Sequence, residues 1–207
     1  MKTMRTVTQV FTAAALVASA TSCGNVVRST RAPVLLVVNS VSATQGTAAG
    51  GTATATLTSD VLTVVTSGGL CSQQNPCPTV FNDTGSMNLS LAPKDTDIAL
   101  SSNNQVTINR VHVSFRRTDG RNTEGVDVPF SFDTGATVTV PISGNATVSF
   151  VLVRNQAKSE SPLVELVNNG QLISAIADVT AYGTDIVGNA VSATGSIGVT
   201  FGNFGDK

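Results

Sequence analysis

The chain has no tryptophan, one tyrosine, one histidine and three cysteines, and only 12% of its 207 residues are charged. Each shortage removes a class of chemistry. A structural zinc site needs four thiolate or imidazole ligands, and His112 with three scattered cysteines is a poor source of them. A Ser-His-Asp triad would have to use His112, yet no G-x-S-x-G elbow occurs, and Gly85-Ser86 and Gly195-Ser196 fall at or in strand-patterned segments. The glycine pairs at 50–51 and 68–69 lack the strand-to-helix context of a phosphate-binding loop. Carboxylate pairs for glycoside hydrolysis can be drawn from Glu124, Asp127, Asp133 and Asp178, but the spacing favours none of them. The densest basic group, Arg116, Arg117 and Arg121, is interleaved with Asp119 and Glu124, unlike the basic surface that nucleic acid demands. Most of the eight phenylalanines lie on apolar-patterned faces, which leaves little stacking surface for sugars. The sequence therefore indicates no catalytic residues, no cofactor and no nucleic-acid partner.

What is present is most legible at the N-terminus. Lys2 and Arg5 precede a short apolar run over residues 10–18, too brief to span a bilayer, and residues 1–22 read as a targeting segment. No later apolar run is long enough to cross a membrane. The targeting segment ends in "SATSCGN", with Cys23 followed by Gly24. This resembles the lipobox of bacterial lipoproteins, although Ala20 and Ser22 stand where Leu and a smaller residue are usual. The resemblance implies that Cys23 carries a lipid anchoring the protein in the bacterial cell envelope, and Gly24 rather than Asp resembles the class sorted to the outer membrane. The other reading is an ordinary secretory signal cleaved near Ala20 or Ser22, leaving Cys23 as a thiol.

Three cysteines is an odd number, and lipidation of Cys23 would leave an even pair, Cys71 and Cys77. In "LCSQQNPCPT" these two are expected to close a local disulfide that staples a loop in an oxidising compartment. Two of the 12 basic residues precede Cys23 and all 13 acidic residues follow it, so ten basic against 13 acidic leaves a formal charge of −3 on the chain from Cys23 onward. Residues 23–32 read as a membrane-proximal tether and residues 33–207 as a single domain.

Val, Thr, Ser, Gly and Ala dominate that domain, a composition suited to pleated strands. Apolar residues alternate at Met87, Leu89 and Leu91; at Val126, Val128, Phe130 and Phe132; at Val138, Val140 and Ile142; and at Val191, Ala193, Ile197, Val199 and Phe201. Val106 and Ile108 have the opposite parity to Val111, Val113 and Phe115, which predicts a bulge near Asn109 and Arg110 and puts His112 on the polar face. Residues 34–38 and 150–153 are apolar on both parities, as in strands covered on both sides. The stretch 42–56, rich in Gly, Ala and Thr, reads as a long hairpin connection. One short helix is expected near residues 161–169, with Ser161 as cap, Pro162 at its first position and Gly170 ending it. Nine or ten short strands separated by turn residues give an all-β class, an antiparallel β-sandwich.

The stretch "YGTDIVGNAV", residues 182–191, sets Asp185 and Asn189 beside the only tyrosine, with Asp178 seven residues upstream of Asp185. As a hairpin it has a mechanical logic: Asp185 accepts backbone N–H groups while Gly188-Asn189 turn the chain. Asp178, Asp185 and Asn189 also supply three oxygen ligands of the kind calcium takes, which is the alternative reading of this stretch. The segment through Phe201, with Asp185, Gly188 and Asn189 as D-x-x-G-N, resembles the last two strands of bacterial immunoglobulin-like and fibronectin-type-III-like domains over about 25 residues. The resemblance implies an immunoglobulin-like sandwich acting as a non-catalytic binding or structural module, with an envelope protein or polysaccharide as partner. The other functional readings are a surface or filament subunit assembling by strand addition at an open edge, with 42–56 or the tether as donor, and a carbohydrate-binding module.

Overall fold

The structure is a computed structural model that describes residues 31–205. The lipidation candidate Cys23, the targeting segment and nearly all of the tether lie outside the described residues. Ala32, placed in the tether by sequence, is 1% exposed and belongs to the core, so the domain begins at least one residue earlier than expected.

Eleven strands form the domain. β1 (Val34–Thr44), β2 (Ala53–Thr54), β6 (Asp83–Pro93) and β9 (Asn145–Val153) make one sheet in the order β2-β1-β6-β9. β3 (Thr56–Asp60), β7 (Val106–Arg117), β8 (Phe132–Val140), β10 (Ile173–Asp185) and β11 (Ala190–Gly202) make the other, in the order β3-β11-β10-β7-β8. β4 (Thr63–Val65) and β5 (Cys77–Thr79) form a separate hairpin. The result is the all-β sandwich that composition and alternation predict. Its pairings are antiparallel except one: β3 runs parallel to β11, from Thr56 opposite Gly198 to Asp60 opposite Gly202.

The core lies between the sheets and is filled by alternate residues, among them Met87, Leu89, Phe150 and Leu152 from the first sheet and Ile108, Val113, Val179 and Phe201 from the second. The sheets approach closely where a side chain is missing: a Cβ on Gly195 would lie 2.6 Å from Cγ2 of Val41. The phase change in β7 is resolved as expected. The β7–β10 register shifts between Ile108 and Arg110, leaving Asn109 as the extra residue, and Val106, Ile108, Val111 and Val113 are all fully buried.

Three local expectations are corrected. Residues 124–131 form no strand; Val126 and Phe130 are 64% and 50% exposed, and buried there are only Val128 and Pro129. Pro129 has no N–H for a ladder, and Thr123 O accepts from the backbone of Val126 and Asp127, closing a turn there instead. Residues 34–38 are covered on one side only, because the outer face of β1 is open and Leu35 and Val37 point to it; in β9 the doubly covered pattern holds at its end, where Leu152 and Val153 are both buried. Residues 42–56 do form the connection expected, but its arms pair as strands, Ala43 opposite Thr54.

The helix expected at 161–169 is replaced by two shorter pieces. α1 (Asn155–Lys158) comes earlier, and residues 164–168 form a 3-10 turn that begins at Leu163, after a cis Ser161–Pro162 peptide. Leu163 and Leu166, three apart, eclipse in a 3-10 turn and are both buried, so packing rewards that tighter geometry. Ser161 hydrogen-bonds Glu165 at 2.8 Å instead of capping the backbone, and Gly170 ends the segment at φ +62° as expected.

The register gives the sandwich two distinct ends. Val34 pairs with Pro93, and Val106 with both Val140 and Asp185, so the chain enters the domain at the end that holds the β10–β11 turn and residues 94–105. Thr44 and Asp83 lie at the opposite end, and the chain passes between sheets there, since Thr54 pairs with Ala43 and Thr56 with Gly198. The disulfide hairpin and the α1 segment also sit at this far end. β10 alone, 13 residues long, separates the two ends by about 40 Å at ~3.3 Å per residue.

Candidate functional site

Cys71 and Cys77 form the expected disulfide, closing the loop that leads into β5. The "YGTDIVGNAV" stretch is the β10–β11 turn. Asp185 Oδ1 accepts the N–H groups of Val187 at 3.1 Å and Asn189 at 2.7 Å, its Oδ2 accepts Asn189 Nδ2 at 2.7 Å, and Gly188 adopts φ +86°. The structure does not bring Asp178 to this turn. Seven residues along an extended strand separate it from Asp185 by about 23 Å, and an odd separation puts the two side chains on opposite faces. Asp178 instead accepts Arg116 Nε at 2.6 Å and Ser196 Oγ at 2.6 Å. The three candidate calcium ligands are therefore not one set: Asp185 and Asn189 bond each other, and Asp178 belongs to the outer face of the sheet.

That outer face is a ladder of paired polar groups. Asp133 Oδ1 accepts Arg110 Nη1 at 3.2 Å and His112 Nδ1 at 3.1 Å, while the Arg110 guanidinium lies 4.0 Å from the centre of the Tyr182 ring. Burial opposes ionisation of Asp178, but its hydrogen bonds from Arg116 and Ser196 and the charge of Arg116 outweigh it and hold the carboxyl below its ordinary value; the same pair raises Arg116. Hydrogen bonding from Arg117, against some desolvation and helped by Arg121, lowers Asp119 to about 2. The remaining candidate carboxylates also have partners, Glu124 bonding the Ser131 N–H and Asp127 that of Thr123.

Two features at the far end escaped the sequence. The first is a fully buried ion pair. Lys158 Nζ lies 3.0 Å from both oxygens of Asp83, with both side chains 0% exposed. Asp83 also accepts the Gly46 N–H at 2.8 Å and the Ser59 hydroxyl at 2.6 Å, so one carboxylate joins the 45–52 loop, β3, β6 and α1.

The second is a cavity of about 270 Å³ between the free edges of β8 and β9, lined by Asn82, Phe132, Asp133, Val151, Arg154 and Asn155 among others. The Arg154 guanidinium sits 4.2 Å from the centre of the Phe132 ring. Its Nε is buried without a hydrogen-bond partner, and among the described residues no carboxylate pairs with it. Asn82 Oδ1 accepts the Asn155 N–H at 2.6 Å and Asn155 Oδ1 accepts the Gln156 N–H at 2.8 Å, so both carboxamides spend their oxygens on backbone and keep their NH₂ groups. A second cavity of about 440 Å³ lies beside the 45–52 loop; its only acid, Asp60, is occupied by the N–H groups of Leu62 and Phe204.

Against protein-family models and against curated proteins the chain has no match. Among the described residues no helix is long and apolar enough to cross a membrane.

Proposed function

We propose that this is a lipid-anchored protein of the bacterial cell envelope whose immunoglobulin-like sandwich serves as a non-catalytic binding or structural module, held by Cys23 and sorted to the outer membrane. The observation that carries the reading is the polarity of the domain. The chain enters at one end, and the disulfide hairpin and the α1 segment lie at the other, about 40 Å away along β10, with the cavity of the unpaired Arg154 extending from α1 back to Phe132 and Asp133, level with Val179 and Thr180 of β10. A tether attached where the chain enters would hold that surface away from the bilayer. The tethered end carries exposed Ile98, Ile186 and Val187, at 62%, 63% and 74%, which suits a surface facing lipid headgroups and apolar tails. The immunoglobulin-like assignment is supported by the strand order, with hairpin neighbours β10 and β11 in one sheet and an early strand, β3, running parallel to the last.

The module is read as non-catalytic because its candidate acids and its one histidine are committed to one another or to backbone groups. Strand addition is a weaker second reading. The edges of β8 and β9 are open to it, but residues 42–56 pair within their own chain. A carbohydrate platform is weaker too, since the rings of Phe132 and Tyr182 each already hold a guanidinium.

Metabolic labelling with a lipid analogue tests the anchor. Labelling is expected in the wild type and lost in Cys23→Ala; equal labelling of both sinks the envelope-lipoprotein reading.

A further inference from the structure

From the cavity between β8 and β9 we infer a binding site for a single carboxylate group on a ligand of about monosaccharide size. The inference rests on the reading of the domain as a binding module and names the chemistry that module recognises.

A buried donor without an acceptor destabilises a folded protein, and more so when the donor is charged. Arg154 Nε is such a donor, and the rest of the guanidinium donates no N–H to an acceptor among the described residues either, so the fork formed by its two Nη groups is left to present parallel N–H groups to a planar oxyanion. Phe132 fixes the plane of the guanidinium from below, which lowers the entropy lost when a ligand binds. The Nδ2 groups of Asn82 and Asn155 add donors to the same lining, alongside the one carboxylate there, Asp133. Phe132 and Val151 supply apolar wall.

The charge count selects a monoanion. The Arg154 guanidinium lines the cavity together with Asp133, whose Oδ1 is held by Arg110 and His112. Arg154 and Arg110 set against Asp133 leave one positive charge, which a carboxylate neutralises and a phosphate dianion overshoots. The volume is at the lower limit of ligand sites, which accommodates one sugar-sized or amino-acid-sized unit. A uronic acid and an acidic amino-acid side chain share this chemistry, and the test separates them.

The full chain is titrated by calorimetry with D-glucuronate, N-acetylaspartate, D-glucose and inorganic phosphate, and the same series is run on Arg154→Gln, Arg154→Lys and Arg116→Gln. The expected result is binding in the millimolar range by at least one carboxylate, weakened about tenfold or more in Arg154→Gln. Arg154→Lys keeps the charge without the fork and should fall between, and Arg116→Gln, whose partner Asp178 lies outside the cavity, should bind as the wild type does. If Arg154→Gln does not fold, the Arg154→Lys titration carries the test. Preference for glucuronate over N-acetylaspartate identifies a sugar acid, and the reverse an acidic side chain. Three results overturn the proposal: no carboxylate binding at tens of millimolar, binding unchanged by both Arg154 substitutions, or glucose or phosphate binding as well as the carboxylates. None depends on Cys23, so a chain that labels with lipid but ignores carboxylates refutes the site alone, and one that binds carboxylates without labelling refutes the anchor alone.

Discussion

Removing one member of the Lys158–Asp83 pair should be among the most damaging single substitutions in the domain. In Lys158→Met the stem volume is kept and only the ammonium is lost, leaving the Asp83 carboxylate buried with the Gly46 N–H and Ser59 hydroxyl as its remaining partners. Stranding a buried charge costs about 3–5 kcal/mol. An upper limit follows from protonation: bringing a carboxyl of ordinary pKa, about 3.9, to its neutral form at pH 7 costs roughly 4 kcal/mol at about 1.4 kcal/mol per pH unit. Asp83→Asn strands the ammonium instead, with a limit of roughly 4–5 kcal/mol from an ordinary lysine value near 10.4.

The two variants should respond to pH in opposite directions. In Lys158→Met the stranded carboxyl has a raised folded pKa, so its penalty is absent below about pH 4 and grows as pH rises; this variant regains stability on going from pH 7 to 5. In Asp83→Asn the stranded lysine has a depressed folded pKa, so stability returns as pH rises from 7 to 9. Urea unfolding followed by circular dichroism measures both. With a slope of about 2–3 kcal/mol per molar urea for a domain of this size, each single substitution should lower the midpoint by about 1–2 M at pH 7. The double variant removes both charges, and the carboxamide oxygen introduced at position 83 can still accept the Gly46 N–H, so it should lie within about 2 kcal/mol of wild type. Additive losses in the double variant, or single losses below about 1 kcal/mol with no opposed pH response, would refute the reasoning.

Gly195→Ala should cost about 1–3 kcal/mol by overpacking, since its Cβ would press on Val41 and Val38 across the sandwich; a midpoint equal to wild type would show that the sheets yield there. Asp178→Asn should destabilise at neutral pH, and because the folded carboxyl titrates below its ordinary value, the gap from wild type should stay open above about pH 4 and close as the pH falls further. A gap that is constant from pH 7 to 2.5 contradicts the role of Arg116. The paired substitution Cys71→Ser and Cys77→Ser should cost about 2 kcal/mol or less, as expected for so short a loop, and the β10–β11 amides should keep their protection in hydrogen exchange while those of β4–β5 lose theirs.

The sheet framework was readable because its signal is local. Alternation alone placed Met87 and Leu89 inward, and the parity break between Ile108 and Val111 located the bulge at Asn109. The D-x-x-G-N turn was equally legible, since Asp185 bonds partners two and four residues away. Where alternation failed, a neighbouring residue overruled it: Pro129 and the Thr123 turn removed a strand that Val126, Val128 and Phe130 spelled out. The far end was not readable because its partners are remote. Lys158 meets Asp83 across 75 positions, Arg154 meets Phe132 across a change of sheet, and nothing in "LVRNQAKSE" distinguishes either cation from an ordinary surface residue. The calcium reading of Asp178 failed for a similar reason, since its partner Arg116 lies 62 positions away.

The buried pair and the cavity are adjacent in the chain, and that adjacency explains why a costly ion pair is placed where it is. Asn82, a cavity residue, precedes Asp83; Arg154 and Asn155, also cavity residues, lead into α1 and Lys158. Two contacts thus bridge the same two segments, Asn82 Oδ1 to the Asn155 N–H at 2.6 Å on the cavity side and Asp83 to Lys158 at 3.0 Å behind it. An apolar pair of similar volume could match the ion pair in stability, but it would not fix the position of α1 along β6, because apolar contact is non-directional while a charged hydrogen bond to Asp83 is not. On this argument the pair acts as a positioning device for Arg154. The double variant Lys158→Met with Asp83→Asn should therefore stay folded and still bind carboxylate more weakly, by about three- to tenfold, with Arg154 untouched. Full affinity in a stable double variant would separate the two features and leave the ion pair as a purely local interlock of the four segments around Asp83.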